Sequence, residues 1–180
     1  DGYFGDTRIS ISNDDRNIKT FIETTLCDIL NIKSISYIAN NNDSVQYHFN
    51  NKQNVTNFYS KYNLMPGLAK DKKVPEYVML SINKIISFIR GYFDCECSVN
   101  ELSIEVSSAS HDLLHVVKIL LSRIGIISCL KPHQVKTYPN NDYYRLGIYA
   151  ENVIKFINTV GTNSDERRKS FNKICAKLEK

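Results

Sequence analysis

The stretch FIRGYFDCECSV, residues 88–99, is apolar and aromatic around one arginine and then sets two acids, Asp94 and Glu96, among two cysteines. Upstream of it Ile82, Ile85, Ile86 and Ile89, followed by Tyr92 and Phe93, recur at helical spacing, which predicts an apolar helix ending in Asp94, Cys95 and Glu96. A carboxylate at that end faces the negative pole of the helix dipole, an unfavourable placement that calls for a compensating positive charge. The opening residues DGYFGD, 1–6, repeat the pattern of acid, small residue and aromatics. Asp1 aligns with Glu96 and Gly2 with Cys97.

Working outward from these two stretches, the chain reads as a duplication. TRISISN (7–13) alternates, setting Ile9 and Ile11 against Arg8, Ser10 and Ser12, as in a strand with one wet face. A helix is expected from Asp14 or Asp15, both good N-caps, carrying Ile18, Phe21, Ile22, Leu26, Ile29 and Leu30 on one side. A hairpin over 34–49 turns in an Asn/Asp cluster, and a short helix over 54–62 follows. The order then restarts: ELSIEVSS (101–108) alternates, HDLLHVVKILLSRIGI (111–126) is amphipathic and closes at Gly125, and 127–150 form a hairpin turning at PNND. Helices over 151–161 and 164–180 complete it. The two series lie about 95 residues apart. Residues 1–63 form the first repeat, 64–80, with two prolines and a basic cluster, a linker, and 81–180 the second repeat. The helix that leads the second repeat has no counterpart after Asp1, so the first repeat is expected to lack its leading helix.

Composition sets bounds on the function. The formal charge of +4 permits a polyanionic partner without demanding one. The five cysteines are odd in number and none has CxxC spacing, which suits reduced thiols in an intracellular, cytoplasmic or organellar protein that is not secreted. Cys27, Cys129 and Cys175 lie among apolar residues and are expected to be buried. No apolar run approaches the ~20 residues of a membrane span, and the N-terminus has no signal-peptide pattern. His111 and His115 stand one helical turn apart but have no third ligand nearby, so no zinc site is expected.

FIRGYFDCEC resembles the second signature helix of a two-repeat LAGLIDADG homing endonuclease, and DGYF resembles the end of the first. The similarity takes in the duplicated order, the lead-in KVPEYVM (73–79), the turn SSASHDLL (107–114) and the closing segment. It implies an α+β fold of two pseudo-symmetric αββαββα-like repeats whose antiparallel saddle sheets form a DNA-binding face. It also implies a site-specific double-strand DNA endonuclease, encoded within an intron or intein. Such an enzyme hydrolyses phosphodiester bonds with a divalent metal at the repeat interface. Asp1 and Glu96 are implied as the catalytic, metal-binding acids, the Cys95 carbonyl as a further ligand, and Asp94 as a capping group or one that supports the metal ligands without touching the ion. Mg²⁺, or another divalent cation such as Mn²⁺, suits hard oxygen ligands of this kind. The family pattern usually has Gly where Cys97 stands and basic residues where Asn13 and Ala109 stand.

On such a saddle, the polar positions of the strands would meet the major groove. In the first repeat these are Arg8, Ser10, Ser12, Lys33, Gln46 and His48. In the second they are Lys131, His133, Gln134, Lys136, Tyr143 and Arg145. The expected partner is a double-stranded DNA target, with the protein a monomer once a helix preceding Asp1 is counted. The alternative is a relative with decayed cleavage, acting as an RNA maturase on intron RNA or as a DNA-binding regulator; an ordinary structural α+β domain is a third reading.

Overall fold

The computed structural model describes the chain apart from residues 1, 6, 7, 14, 32–35, 40–44, 65, 138, 140, 141, 179 and 180. It divides into two compact units, Asp1–Gly67 and Leu68–Lys180.

In the first unit, strands β1 (Gly2–Phe4), β2 (Ile9–Ser12), β3 (Ser36–Ala39) and β4 (Val45–Phe49) form one antiparallel sheet in the order β1-β2-β4-β3. Asp15 starts the helix between β2 and β3 because its carboxylate accepts from the backbone N–H groups of Asn17 and Ile18. That helix runs through α1 (Arg16–Phe21), a π-helical turn (Ile22–Leu26) and α2 (Cys27–Leu30). Helix α3 (Lys52–Tyr62) is capped by Asn51 and ends at Asn63 in the left-handed conformation, φ 50°. Ile9, Ile22, Tyr47, Phe49, Val55 and Tyr59 make the core, and the Tyr59 hydroxyl donates to the Gly5 carbonyl at 3.0 Å.

The second unit repeats the order. Helix α4 (Ile82–Glu96) begins at Ser81, whose hydroxyl accepts from the Lys84 N–H, and buries Ile85, Ile89 and Phe93 at fourfold spacing. It runs into β5 (Cys97–Val99), which pairs with β6 (Ser103–Ser108). Then come α5 (His111–Arg123), β7 (Cys129–His133), β8 (Tyr143–Tyr149), α6 (Glu151–Thr159) and α7 (Asp165–Leu178). The sheet order, β5-β6-β8-β7, is that of the first unit. Each sheet therefore begins one residue after an acid of the aligned pair, at Gly2 and at Cys97. The second unit reads αββαββα with one further helix, as the family resemblance implies.

The expected linker, 64–80, is divided between the units. Leu64 packs on the first core, whereas Val74 and Val78 are buried in the second. The Ser110 hydroxyl donates to the Lys72 carbonyl at 2.7 Å and Arg123 donates to that of Met79 at 3.3 Å. Two expectations give way. Ser10 does not sit on a wet face: it is 2% exposed, paired in register with His48, itself 6% exposed. Cys129 is exposed rather than buried, and Cys27 and Cys175 are half-buried. Strands β1 and β5 belong to the αββαββα order that the resemblance implies, although the residue pattern by itself shows neither.

Candidate functional site

The end of α4 is bound by a set of charged hydrogen bonds from α6 and α7. Arg90 donates from Nε to the Val160 carbonyl at 2.6 Å, just past α6. Asp94 is 6% exposed. Its carboxylate accepts from the Thr162 hydroxyl and, at 3.0 Å, from the Asn163 N–H. In return the Arg167 guanidinium, from the first turn of α7, donates to the carbonyls of Asp94 (2.7 Å), Cys95 (3.4 Å) and Cys97. It also approaches the Cys97 sulfur at 3.2 Å. A cation on the last carbonyls of a helix offsets the negative end of its dipole. The compensation that the sequence called for is thus supplied in part by the chain itself, for Asp94.

Glu96 is treated differently. It is exposed, and its carboxylate forms no hydrogen bond or ion pair among the described residues. Its charge is felt by Tyr92, one turn earlier, whose phenol pKa is pushed up first by burial and then by the Glu96 carboxylate. Burial also raises the Cys97 thiol to about 11, with Arg167 opposing the shift. Among the described residues no three His, Cys, Asp or Glu side chains cluster as a metal site. The donor set at the end of α4 still fits a hard cation of the Mg²⁺ type, which keeps several waters and needs only one or two carboxylates together with phosphate oxygens. Glu96 offers such a carboxylate, whereas the Cys95 carbonyl named with it is shared with Arg167. Asp1 and Lys33 lie outside the described residues.

The open face of the second sheet carries a connected polar row. Arg145 pairs with Glu105 at 3.2 Å and with His133 Nε2 at 2.7 Å. Glu105 in turn accepts from the hydroxyls of Tyr149 and Ser103, each at 3.2 Å. Arg145 is 33% and Glu105 12% exposed, so the pair is partly withdrawn from solvent. Gly147 makes room for this row: a Cβ there would lie 2.2 Å from the Tyr149 hydroxyl oxygen. Close by, Lys131 is exposed and lies opposite Arg145 across the β7–β8 ladder, and Gln134 and Lys136 are exposed beyond β7. Tyr143, half-buried, pairs in register with His133. The expected residues His133, Tyr143, Arg145 and Lys131 therefore share one region. Glu105 and Tyr149 were missed, although the alternation of ELSIEVSS places Glu105 with the outward set.

In the first sheet Ser10 Oγ and His48 Nδ1 lie 2.9 Å apart, and His48 Nε2 is buried without a hydrogen-bond partner among the described residues. Ser12 and Gln46 pair in register and are half-buried, while Arg8 is exposed. Asn13 accepts from the Asp15 N–H at 2.8 Å, a turn that leads into α1. Ala109 is half-buried.

Residues 83–161 match the LAGLIDADG-like domain. The second repeat is a LAGLIDADG domain. The fold of the chain is that of I-DmoI, a homing endonuclease whose complex with DNA and Ca matches with a TM-score of 0.65 at 16% identity, over 92% of this chain and 82% of that one. Full-length DUF199/WhiA from Thermatoga maritima matches with a TM-score of 0.62 at 13% identity, over 98% of this chain and 55% of that one. Among curated proteins, the replication factor C small subunit of Methanocaldococcus jannaschii is 28% identical over 122 residues, 67% of this chain. A probable translation initiation factor IF-2 of Thermococcus kodakarensis is 41% identical over 63 residues, 33% of this chain. The matched segment spans only 6% of the length of each of these two relatives. No described helix is long and apolar enough to cross a membrane.

Proposed function

We propose that this LAGLIDADG chain is a site-specific DNA endonuclease dependent on a divalent cation, with Glu96 and its sequence counterpart Asp1 as the metal-binding acids. The observation that carries the reading is the contrast at the end of α4. Asp94 is committed to hydrogen bonds with Thr162 and Asn163, whereas Glu96, two residues on, presents an exposed carboxylate with no partner among the described residues. A solvated acid next to a fixed helix end is suited to take a hard cation together with a phosphate oxygen. When bound, such a cation supplies Lewis acidity toward the phosphate. The chain's own part is to hold Glu96 on a rigid element and to carry DNA past it. Arg8, Ser12, Gln46, Lys131, His133, Gln134, Lys136, Tyr143 and Arg145 are proposed as DNA contacts, with Lys33 as a further one. Ser10 is placed behind these, as the residue that orients His48.

The fold shared with I-DmoI, solved on DNA with Mn and, as a point variant, on its target DNA in the presence of 2 mM Mg, supports this reading. The curated matches support a mobile module of the intein kind: a replication factor and a translation factor share little by name, and each matches over a small fraction of its length. The second reading, a DNA-binding protein without cleavage, is favoured by Cys97, Asn13 and Ala109, which stand where the family pattern has Gly and basic residues.

The test is selection of cleavable sites from a plasmid library of randomised duplex inserts, with and without Mg²⁺. Linear product that needs Mg²⁺ and is lost in Glu96→Gln supports the endonuclease. Retained duplex binding with no cleavage by wild type supports the second reading.

A further inference from the structure

We propose that Arg167 and Asp94 are a positioning pair for the Glu96 carboxylate, an inference that rests on the metal-binding reading of Glu96. Arg167 holds the carbonyls on both sides of Glu96, those of Cys95 and Cys97, and that of Asp94 as well. With the flanking peptide groups fixed, the position of the Glu96 carboxylate depends on its own side-chain torsions alone. The Arg167 fork is itself aligned. Ser164, 4% exposed, accepts the Arg167 N–H on its hydroxyl at 3.2 Å, which starts α7. The Thr162 and Asn163 groups just before it are held by the Asp94 carboxylate. Each helix therefore fixes the end of the other: Asp94 of α4 orders the approach to α7, and Arg167 of α7 orders the exit from α4.

The chemistry needs Arg at this place. Its planar fork reaches three carbonyls at once, whereas a Lys ammonium keeps the charge but is a point donor on a flexible stem. Groups that orient a metal ligand without touching the metal typically alter metal affinity about 10–100-fold when changed. Arg167 lies 73 positions from Asp94 and reaches α4 through backbone carbonyls, so it carries no sequence signal of its role, whereas a supporting role for Asp94 is implied by the family resemblance.

The experiment titrates Mn²⁺ alone into the full chain and follows the free ion by electron paramagnetic resonance, with folding of each variant checked by far-UV circular dichroism. Glu96→Gln should remove a class of Mn²⁺ binding present in wild type. Arg167→Lys should weaken that class about 10-fold while the secondary structure persists. Asp94→Asn, which loosens the same arrangement from the other helix, should weaken it in the same direction. Arg168→Lys is the control, because among the described residues its guanidinium bonds Asp165 and the Thr162 carbonyl and no group of α4, and it should leave the affinity unchanged. Wild-type Mn²⁺ affinity in both Arg167→Lys and Asp94→Asn would show the pair to be merely structural and overturn the inference. Mn²⁺ binding that Glu96→Gln leaves intact would overturn the metal reading itself and take the inference with it.

Discussion

At the scale of single residues, the molecule separates acids by what they are bonded to. Glu105 is held by Arg145, Tyr149 and Ser103 on the open sheet face, Asp94 by Thr162 and Asn163, and Glu96 by none of the described residues. Arg145 is thereby presented in one orientation, with Glu105 and His133 on two of its nitrogens. A guanidinium held in this way suits bidentate contact with guanine, worth about 1–3 kcal/mol of discrimination. Arg145→Ala should therefore lose about that much preference at one base pair, read by competition among selected duplexes; an unchanged preference would remove Arg145 from base reading. The cysteines give a second residue-scale prediction. The Cys97 thiol, buried and raised to about 11, stays protonated and shielded at neutral pH. Exposed Cys129 should be alkylated by iodoacetamide first and Cys97 last, as followed by peptide mass mapping. Some of this was readable: in CLKPH, Cys129 alternates with Lys131 and His133, a period-two signal that sets it on the outer face. The Arg167 contacts were not readable, because they span about 70 residues and end on backbone groups that have no sequence identity.

At the scale of elements, α4 and α5 carry the second unit. Ile89 is fully buried at the centre of α4, so Ile89→Ala should cost about 2–5 kcal/mol in denaturant unfolding. A loss below about 1 kcal/mol would mean that the core closes over the gap. Ser110 both caps α5, accepting the Leu113 N–H at 3.1 Å, and donates to the Lys72 carbonyl. Ser110→Ala should cost about 1–2 kcal/mol by the same measurement. The helices and long strands were legible because their apolar periods are local and run for several turns or alternations. The three-residue strands β1 and β5 were not, because GYF and CSV are too short to show a period and form only by pairing with β2 and β6. The burial of Ser10 depends on register with His48, which alternation within one strand cannot specify.

At the scale of the whole chain, two units with the same strand order and one exposed acid at the second signature helix make a DNA-cutting LAGLIDADG protein the reading with the widest support. Binding to duplex through several basic side chains should be strongly salt dependent. If six to ten phosphates are contacted, affinity should fall by about 10³–10⁵ between 50 and 200 mM salt. A flat salt response would exclude DNA as the partner. The duplication was legible as an order of elements spaced by about 95 residues, and the matched sheet topologies bear that order out. The central claim, that Glu96 is a metal-binding acid, is tested most directly by locating Mn²⁺ through its anomalous scattering in crystals of the chain with a selected duplex. The account predicts an ion in coordination contact with the Glu96 carboxylate and a phosphate oxygen of the DNA. An ion held by Asp94 instead, or a bound duplex with no ion at Glu96, would contradict it.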